Sequence, residues 1–196
     1  GAAAREGPAG PYDAFNAPNK KATPSDMVYW GTTDIIRRDE LKMGRELGRG
    51  GYGVVYQGEF RGMVVAIKSM TEGLDAKETA DFRAEAKLLA RVAPHPNVVK
   101  FVGVVAERGE VLVVLEFLSG GALIDAIENA NVRFTRRQVL GWLRGVAAGM
   151  IHLSSHGIVH RDLAARNVLV DGASNAKVAD FGMARQDAAG GGAQNR

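Results

Sequence analysis

The sequence reads Val-His-Arg-Asp-Leu-Ala-Ala-Arg-Asn-Val-Leu-Val from residue 159 to residue 170. An acidic side chain, Asp162, is followed by Arg166 and by the amide Asn167, and a short β-branched run begins directly after the amide. Because such a run predicts a strand, we expect the acid and the amide in a loop at the mouth of that strand. A base and a metal ligand placed together in this way indicate a catalytic loop.

A second oxygen ligand is expected close to the first. After the strand Val168–Val170 the chain turns and returns through residues 176–179 to Asp180, which opens the sequence Asp-Phe-Gly. A hairpin centred between residues 173 and 174 would place Asn167 opposite Asp180. Magnesium prefers oxygen ligands, including nucleotide phosphates. The spacing therefore predicts a Mg²⁺ site at Asn167 and Asp180.

A glycine-rich segment lies near the other end of the chain. Gly48, Gly50 and Gly53 stand in the run Gly-Arg-Gly-Gly-Tyr-Gly, and glycines let backbone N–H groups approach phosphate oxygens. The alternative, a dinucleotide-binding turn, requires a helix directly after the last glycine. Here the residues 54–60 alternate like a strand, so we expect a phosphate loop within a β-hairpin that begins at Leu41, with Tyr52 at its tip as a lid.

A lysine and a glutamate follow at positions where their charges need each other. Lys68 lies near the end of a third predicted strand, Met63–Met70. In the predicted helix 75–92, Glu85 shares one face with the apolar residues Phe82 and Leu89. A carboxylate in an apolar stripe is costly unless it is paired, so Lys68 is its expected partner.

The remaining periodic segments complete the predicted architecture. Strands are expected at 98–106 and 110–115, which together with the first three make a five-stranded antiparallel sheet. Helices are expected at 122–130 and 136–155. The apolar side predicted for the longer helix consists of Val139, Leu140, Leu143, Val146, Ala147, Met150, Ile151 and Leu153.

The composition narrows the classes of function. Of 196 residues, 46% are apolar, which is enough for a core. The net charge is only +3 and no basic run concentrates it, so a nucleic-acid partner is not expected. The absence of cysteine excludes disulfides, thiolate metal sites and a cysteine nucleophile. No apolar run reaches the length of a membrane span, and we expect a soluble, cytoplasmic protein or the cytoplasmic part of a receptor.

Taken in order, these motifs resemble the catalytic domain of protein kinases. The residues Ala164-Ala165-Arg166 stand where serine/threonine kinases carry a lysine two residues after the aspartate, and they are similar to the tyrosine kinase group. The resemblance implies an α+β, bilobal fold. It divides the chain into a flexible leader at 1–26, a small lobe and hinge at 27–118, and the first, mainly helical part of the large lobe at 119–196.

The resemblance also implies a role for each site residue. Asp162 would accept or orient the proton of a tyrosine hydroxyl, with Arg166 holding the geometry, and Lys68 with Glu85 would position the phosphates. Leu115 would be the gatekeeper, and Leu169 the floor of the adenine pocket. The residues implied to hold ATP are Gly48, Gly50, Gly53, Val55, Ala66, Lys68, Leu115, Glu116, Leu118 and Leu169, and the backbone of Glu116 and Leu118 would bond the adenine.

The function implied is transfer of the γ-phosphate of ATP, with Mg²⁺, to a tyrosine of a protein substrate. The alternative is a catalytically inactive ATP-binding or interaction module, and the intact residues Lys68, Asp162, Asn167 and Asp180 count against it. Only Met183–Arg196 follow the Asp-Phe-Gly motif, so we expect an incomplete groove for the protein substrate. The substrate, the oligomeric state and the activity of the chain alone remain open.

Overall fold

The computed structural model describes residues 35–50, 53–70, 76–107 and 110–186. The strands are β1 (Leu41–Gly50), β2 (Gly53–Phe60), β3 (Met63–Met70), β4 (Phe101–Glu107), β5 (Glu110–Glu116), β6 (Ile158–Val159), β7 (Val168–Val170), β8 (Ala176–Val178) and β9 (Arg185–Gln186). The helices are α1 (Ala76–Arg91), α2 (Leu123–Glu128) and α3 (Arg136–Ser155). The leader at 1–26 and Tyr52 lie outside the described residues, so the predictions made for them are untested.

The first five strands form one antiparallel sheet in the order β1-β2-β3-β5-β4, which confirms the predicted small lobe. Cross-strand partners share a face of a sheet. Val55 pairs with Lys68, and Ala66 pairs with Leu115. Since Ala66 and Lys68 are two residues apart on β3, all four side chains lie on one face.

Each face of this sheet has its own core. On one face, α1 packs with Phe82, Ala86 and Leu89, and this core continues into the large lobe through Phe181. The opposite face buries a second cluster that includes Ile67 and is closed by the residues just before β1. Helix α1 therefore lies between the sheet and the large lobe, where Glu85 can reach the end of β3.

Strand β4 begins at Phe101, three residues later than predicted. Val98 and Val99 are buried as expected of strand residues, but they contact the large lobe instead of β5. The backbone N–H of Val99 donates to the carbonyl oxygen of Val178. The N–H of Val178 in turn donates to the carbonyl oxygen of Asn97. The segment between α1 and β4 is thus attached to β8.

The predicted ends of α3 are confirmed, but the predicted buried face is wrong in part. The fully buried residues are Trp142, Gly145, Gly149 and Leu153, and the predicted residues Val146 and Met150 also pack against the core. Val139, Leu140, Leu143 and Ile151 are exposed, by 41% to 71%. The glycines decide the packing, because a Cβ at Gly149 would lie 2.4 Å from the carbonyl oxygen of Asn97. A count of apolar side chains overlooks a face that is built from glycine.

The hairpin β7–β8 is one register step away from the prediction. Val168 pairs with Val178 and Val170 with Ala176, so the turn is centred on residue 173. Asn167 consequently lies opposite Ala179, whose N–H donates to the Asn167 carbonyl oxygen at 2.9 Å. Asp180 follows with a positive φ of 58°, a conformation in which aspartate is enriched.

Two short helical elements, α2 and a 3-10 helix, follow in the large lobe. Helix α2 is shorter than the predicted 122–130, and it lies near β7 and the short 3-10 helix Ala165–Asn167. None of the helices in the described part of the chain has the length and apolar character needed to cross a bilayer.

Candidate active site

The described glycines of the predicted phosphate loop lie in the facing ends of β1 and β2. Gly50 pairs with Gly53 across the hairpin. A Cβ at Gly53 would lie 2.4 Å from the carbonyl oxygen of Ser69, so the close approach of β3 requires glycine there. Among the described residues, a Cβ would meet nothing within 4 Å at Gly48, and only a backbone oxygen at 4.0 Å at Gly50. At those two positions the absent side chains leave open space that a phosphate could enter.

Three charged residues, one each from β3, α1 and the segment after β8, form a cluster of ion pairs. Lys68 donates from Nζ to both carboxylate oxygens of Glu85, at 2.7 and 2.9 Å, and to Oδ1 of Asp180 at 3.2 Å. The side chain of Glu85 is only 5% exposed, and that of Lys68 is 15% exposed. The expected pairing of Lys68 with Glu85 is therefore present, and Asp180 extends it to the large lobe.

The pKa values in this cluster follow from burial and charge. Burial opposes the charge on Lys68, but the carboxylates of Glu85 and Asp180 outweigh it and hold the lysine pKa above its usual value. Burial raises the pKa of Glu85, and Lys68 only partly opposes this effect. At Asp180 burial acts in the same direction, but there Lys68 prevails and the pKa is lowered. The directions differ because Asp180 is half-exposed, whereas Glu85 is almost fully enclosed.

The predicted catalytic loop forms a second, more open cluster. Arg166 donates from Nη2 to Oδ1 of Asp162 at 2.5 Å. Asn167 donates from Nδ2 to the carbonyl oxygen and to Oδ2 of Asp162, at 2.8 and 2.9 Å. Asp162 is thus held on both carboxylate oxygens, and its side chain remains 29% exposed. A carboxylate fixed in this way can accept a proton or orient a hydroxyl from the open side.

The orientation of Asn167 suits a metal ligand. Both partners of its side-chain nitrogen are acceptors, so the amide oxygen points to the other side. On Asp180, Oδ1 accepts from Lys68 and from the N–H of Gly182, at 3.2 and 3.3 Å, which leaves Oδ2 for another ligand. In the described part of the chain, no group of three or more His, Asp or Glu side chains could hold a metal by itself. These two oxygens suit a cation whose other ligands are phosphates and water.

His160 joins the two clusters. It is fully buried, and its Nε2 donates to the carbonyl oxygen of Ala179 at 3.0 Å. Its Nδ1 accepts from the N–H of Asp162 at 3.4 Å. The ring also contacts Phe181, with 5.4 Å between ring centroids. The His160 ring therefore fixes the loop that carries Asp162 relative to the residues that precede Asp180.

The segment predicted to be the hinge carries an ion pair that sequence reasoning missed. Leu115 and Glu116 end β5, and Leu118 is buried. No described residue accepts a backbone hydrogen bond from the N–H of Leu118, which leaves this donor for an adenine. The carboxylate of Glu116, predicted to act only through its backbone, accepts from Lys177 Nζ at 2.7 and 2.8 Å. The sequence signal was available, because Lys177 interrupts the apolar strand β8.

Leu169 lies opposite Lys177 in the β7–β8 hairpin, and Ala122 forms an isolated bridge with Leu169. The predicted pocket floor is therefore attached to the segment that follows the hinge. Four other residues predicted to line the nucleotide site, Val55, Ala66, Lys68 and Leu115, share one face of the sheet. Leu115 from the sheet and Leu169 from the hairpin pack against the same apolar core.

A lysine bonded to a glutamate of the helix behind it, with an aspartate after the hairpin in reach of the same lysine, is how protein kinases hold nucleotide phosphates and metal. The fold and this geometry define the class, a protein kinase catalytic domain. The family model for protein tyrosine and serine/threonine kinases matches residues 41–194, and the chain belongs to this family. Members of the family use ATP and a divalent metal.

Curated relatives agree with this assignment. The chain is 40% identical to ephrin type-B receptor 1-A of Xenopus laevis over 150 residues, which cover 74% of the chain and 15% of that receptor. It is 36% identical to the tyrosine-protein kinase Fer of Mus musculus over 80% of the chain and 19% of Fer. A serine/threonine-protein kinase/receptor of Acanthamoeba polyphaga mimivirus is 36% identical over 83% of the chain and 10% of its own length. The chain thus spans less than a fifth of these relatives.

Proposed function

We propose that this protein transfers the γ-phosphate of ATP to tyrosine side chains of protein substrates. The observation that carries the proposal is the arrangement of Lys68, Glu85 and Asp180 in one ion cluster beside a fixed Asp162. A kinase needs a lysine–glutamate pair and a positioned metal-binding aspartate for phosphate transfer, and the contacts of Lys68 with Glu85 and Asp180 support the proposal that these residues take those roles.

Each site residue receives one task in this proposal. Lys68, kept in place by Glu85, binds the phosphates of ATP, and Asp162 orients the hydroxyl of the tyrosine and takes its proton. Arg166 holds Asp162 from the exposed side. Because the transition state of phosphate transfer is loose, most of the acceleration comes from position and electrostatics.

The nucleotide is proposed to bind in the cleft between the sheet face and the β7–β8 hairpin. The glycines Gly48, Gly50 and Gly53 lie over the phosphates, and the backbone of Glu116 and Leu118 bonds the adenine. The ring is enclosed by Val55, Ala66, Leu115 and Leu169. Mg²⁺ fits the free oxygens of Asn167 and Asp180, and when bound it would neutralise charge on the phosphates.

We further propose that residues 27–118 form the small lobe with the hinge and that residues 119–196 belong to the large lobe. The sheet that ends at Glu116 and the hinge that follows it support this boundary. A cytoplasmic location, as a free protein or as part of a receptor, suits the use of ATP and a chain without cysteine. The preference for tyrosine rests on Ala164-Ala165-Arg166 and on the similarity to Fer, a relative named a tyrosine-protein kinase.

The test is transfer of labelled phosphate from ATP to two random polymers, one rich in glutamate and tyrosine and one in which serine replaces tyrosine. With Mg²⁺ present, we expect the tyrosine polymer to be labelled and the serine polymer to remain near background. The Asp162→Asn variant serves as the inactive control. Labelling of the serine polymer alone would contradict tyrosine specificity.

Equal labelling by the wild type and by Asp162→Asn would contradict the catalytic assignment. If neither labels a polymer although ATP with Mg²⁺ raises the unfolding temperature, the protein is an ATP-binding module without kinase activity, and the proposed reaction is wrong. Hydrolysis of ATP in the absence of a polymer distinguishes a missing protein substrate from missing chemistry.

A further inference from the structure

Three histidine rings contact one another where the segment after α1 meets the end of α3, and we call them the histidine stack. The ring centroids of His95 and His152 lie 4.5 Å apart with 20° between the ring planes, so these two rings are stacked. Those of His152 and His156 lie 4.4 Å apart, with the planes tilted by 51°. His95 belongs to the segment between α1 and β4, whereas His152 lies on α3 and His156 directly follows it. The stack therefore joins two parts of the chain that are distant in sequence.

The hydrogen bonds of the stack define where its protons are. Nδ1 of His95 accepts from the backbone N–H of Asn97 at 3.1 Å, so this nitrogen carries no proton. Nε2 of His152 lies 2.8 Å from the carbonyl oxygen of Ala93, and because a carbonyl only accepts, His152 donates there. A proton on Nδ1 of His95 would remove the Asn97 bond, while the bond of His152 would persist. The fold therefore uses the neutral form of His95.

The surroundings of the stack are basic or neutral. From Asn129 to Arg161, with both ends included, the sequence contains five arginines and neither Asp nor Glu, so α3 brings no carboxylate. The last turn of α1 brings Arg91. Strand β8, which Asn97 contacts, brings only Lys177, and that amino group is already bonded to Glu116. A charge on His95 would find no opposite charge on these elements.

Asn97 is the residue through which a change at His95 would spread. Its Nδ2 donates to the carbonyl oxygen of Ala176 at 2.8 Å, and its own carbonyl oxygen accepts from Val178 N–H at 2.9 Å. Asn97 can pack closely against α3 because positions 145 and 149 are Gly145 and Gly149, where a Cβ would clash with it. Asn97 thus ties the segment after α1 to the strand that leads to Asp180.

We propose that the stack of His95, His152 and His156 is a pH-sensitive clamp, which holds the segment after α1 on α3 while His95 is neutral and releases it when His95 takes up a proton. Partial burial and then the charge of His152 lower the pKa of His95 from its usual 6.5. The unfolded chain consequently binds this proton more readily. The stability that the clamp contributes is complete above pH 6.5 and is lost as the pH falls through 6.5 towards the lowered pKa.

The first measurement follows the histidine ring signals and the backbone amide of Asn97 by NMR between about pH 8 and about pH 5. We expect His95 to titrate below 6.5 and the Asn97 amide signal to move with the same midpoint. In His152→Phe, which keeps a stacked ring without the charge, the pKa of His95 should rise towards the usual value. A His95 that titrates at or above 6.5 in the wild type overturns the proposal.

The second measurement compares unfolding temperatures at about pH 7.5 and about pH 5.5. In His95→Asn, the amide oxygen can accept from Asn97 N–H without titrating, so this variant should lose less stability than the wild type on acidification. An equal loss in both proteins overturns the clamp. If His95→Asn does not fold at the higher pH, the NMR titrations of the wild type and of His152→Phe decide the question. Neither measurement depends on kinase activity.

Discussion

The two charged clusters of the cleft are built in opposite ways. Lys68, Glu85 and Asp180 come from a strand, a helix and the end of a hairpin, and the pair Lys68–Glu85 is almost fully enclosed. Asp162 and Arg166 are four residues apart in one loop, and the arginine side chain is 61% exposed. The first cluster exists only if both lobes are assembled, whereas the second is largely local.

The difference predicts that the buried cluster contributes mainly to the stability of the fold and the exposed loop mainly to catalysis. A buried ion pair leaves an uncompensated charge when one partner is removed, so a change there destabilises the fold. An exposed pair is worth little to stability, and the value of Asp162 and Arg166 lies in the geometry that they offer to a substrate. We therefore expect changes in the loop to lower activity alone, and changes in the buried cluster to lower both.

The largest expected effect is on catalysis and comes from Asp162→Asn. The substitution keeps the shape but removes the carboxylate that orients and accepts the hydroxyl proton, so kcat should fall by about 10²–10⁴. The unfolding temperature should stay near that of the wild type. Steady-state kinetics with a tyrosine polymer and thermal unfolding measure the two quantities. A variant that keeps its kcat, or that loses as much stability as a Glu85 variant, would remove the distinction between the clusters.

The next effect is on stability and comes from Glu85→Gln. The charge of Lys68 then has only Asp180 as a partner in the cluster, and we expect the free energy of unfolding to fall by about 3 kcal/mol. Glu59→Gln is the matched control, because Glu59 pairs with Lys42 on the surface with 45% and 75% of the side chains exposed. The control should lose less than about 1 kcal/mol in the same denaturant titrations. Equal losses would show that burial does not set the value of the pair.

Substitutions of two glycines in α3 test whether the packing of Asn97 on this helix stabilises the fold. Gly149→Ala places a Cβ against Asn97, which ties down β8 ahead of Asp180, and should cost about 1–3 kcal/mol. Gly141→Ala has no neighbour within 4 Å and should gain up to about 1 kcal/mol from helix propensity. Chemical denaturation of both variants checks the opposite signs. If Gly149→Ala unfolds at a higher denaturant concentration than the wild type, Asn97 does not pack closely on α3 in solution.

The smallest effect is a pH dependence in Lys68→Met. Burial raises the pKa of Glu85 and Lys68 opposes this, so the variant should raise that pKa further, as carboxyl NMR would show. A raised pKa in the folded state gives stability that is present below the usual pKa and lost as the pH rises through the raised one. The stability deficit of the variant should therefore be smaller at about pH 5 than at about pH 7.5. A deficit that is the same at both pH values would contradict the role of Lys68 beside Glu85.

Much of the architecture could be predicted because local patterns agree with it. Strand β3 and helix α3 have the predicted ends, since alternation and a capping Thr135 mark them clearly. Glu85 could be paired with Lys68 because a charge in an apolar stripe requires a partner. Each of these inferences follows from a local sequence pattern and one physical rule.

The predictions that failed concern contacts between elements. The late start of β4 follows from hydrogen bonds that Val99 makes with β8, and the buried face of α3 follows from Asn97 packing on Gly149. The register of β7–β8 depends on a turn in which Asp171 accepts from Ala173 and Asn175. For β4 and α3 the deciding information resides in the partner segment, and for the hairpin it resides in the side-chain hydrogen bonds of the turn. A hydrophobic period along one segment contains neither.

The central claim is that the cleft binds ATP through Mg²⁺ held by Asn167 and Asp180. Calorimetric titration of ATP with and without Mg²⁺ tests it in the wild type, in Asp162→Asn and in Asp180→Asn. We predict that Mg²⁺ tightens ATP binding in the first two proteins and that Asp180→Asn loses this gain while it remains folded. If Asp180→Asn keeps the full gain from Mg²⁺, the account of this site is wrong.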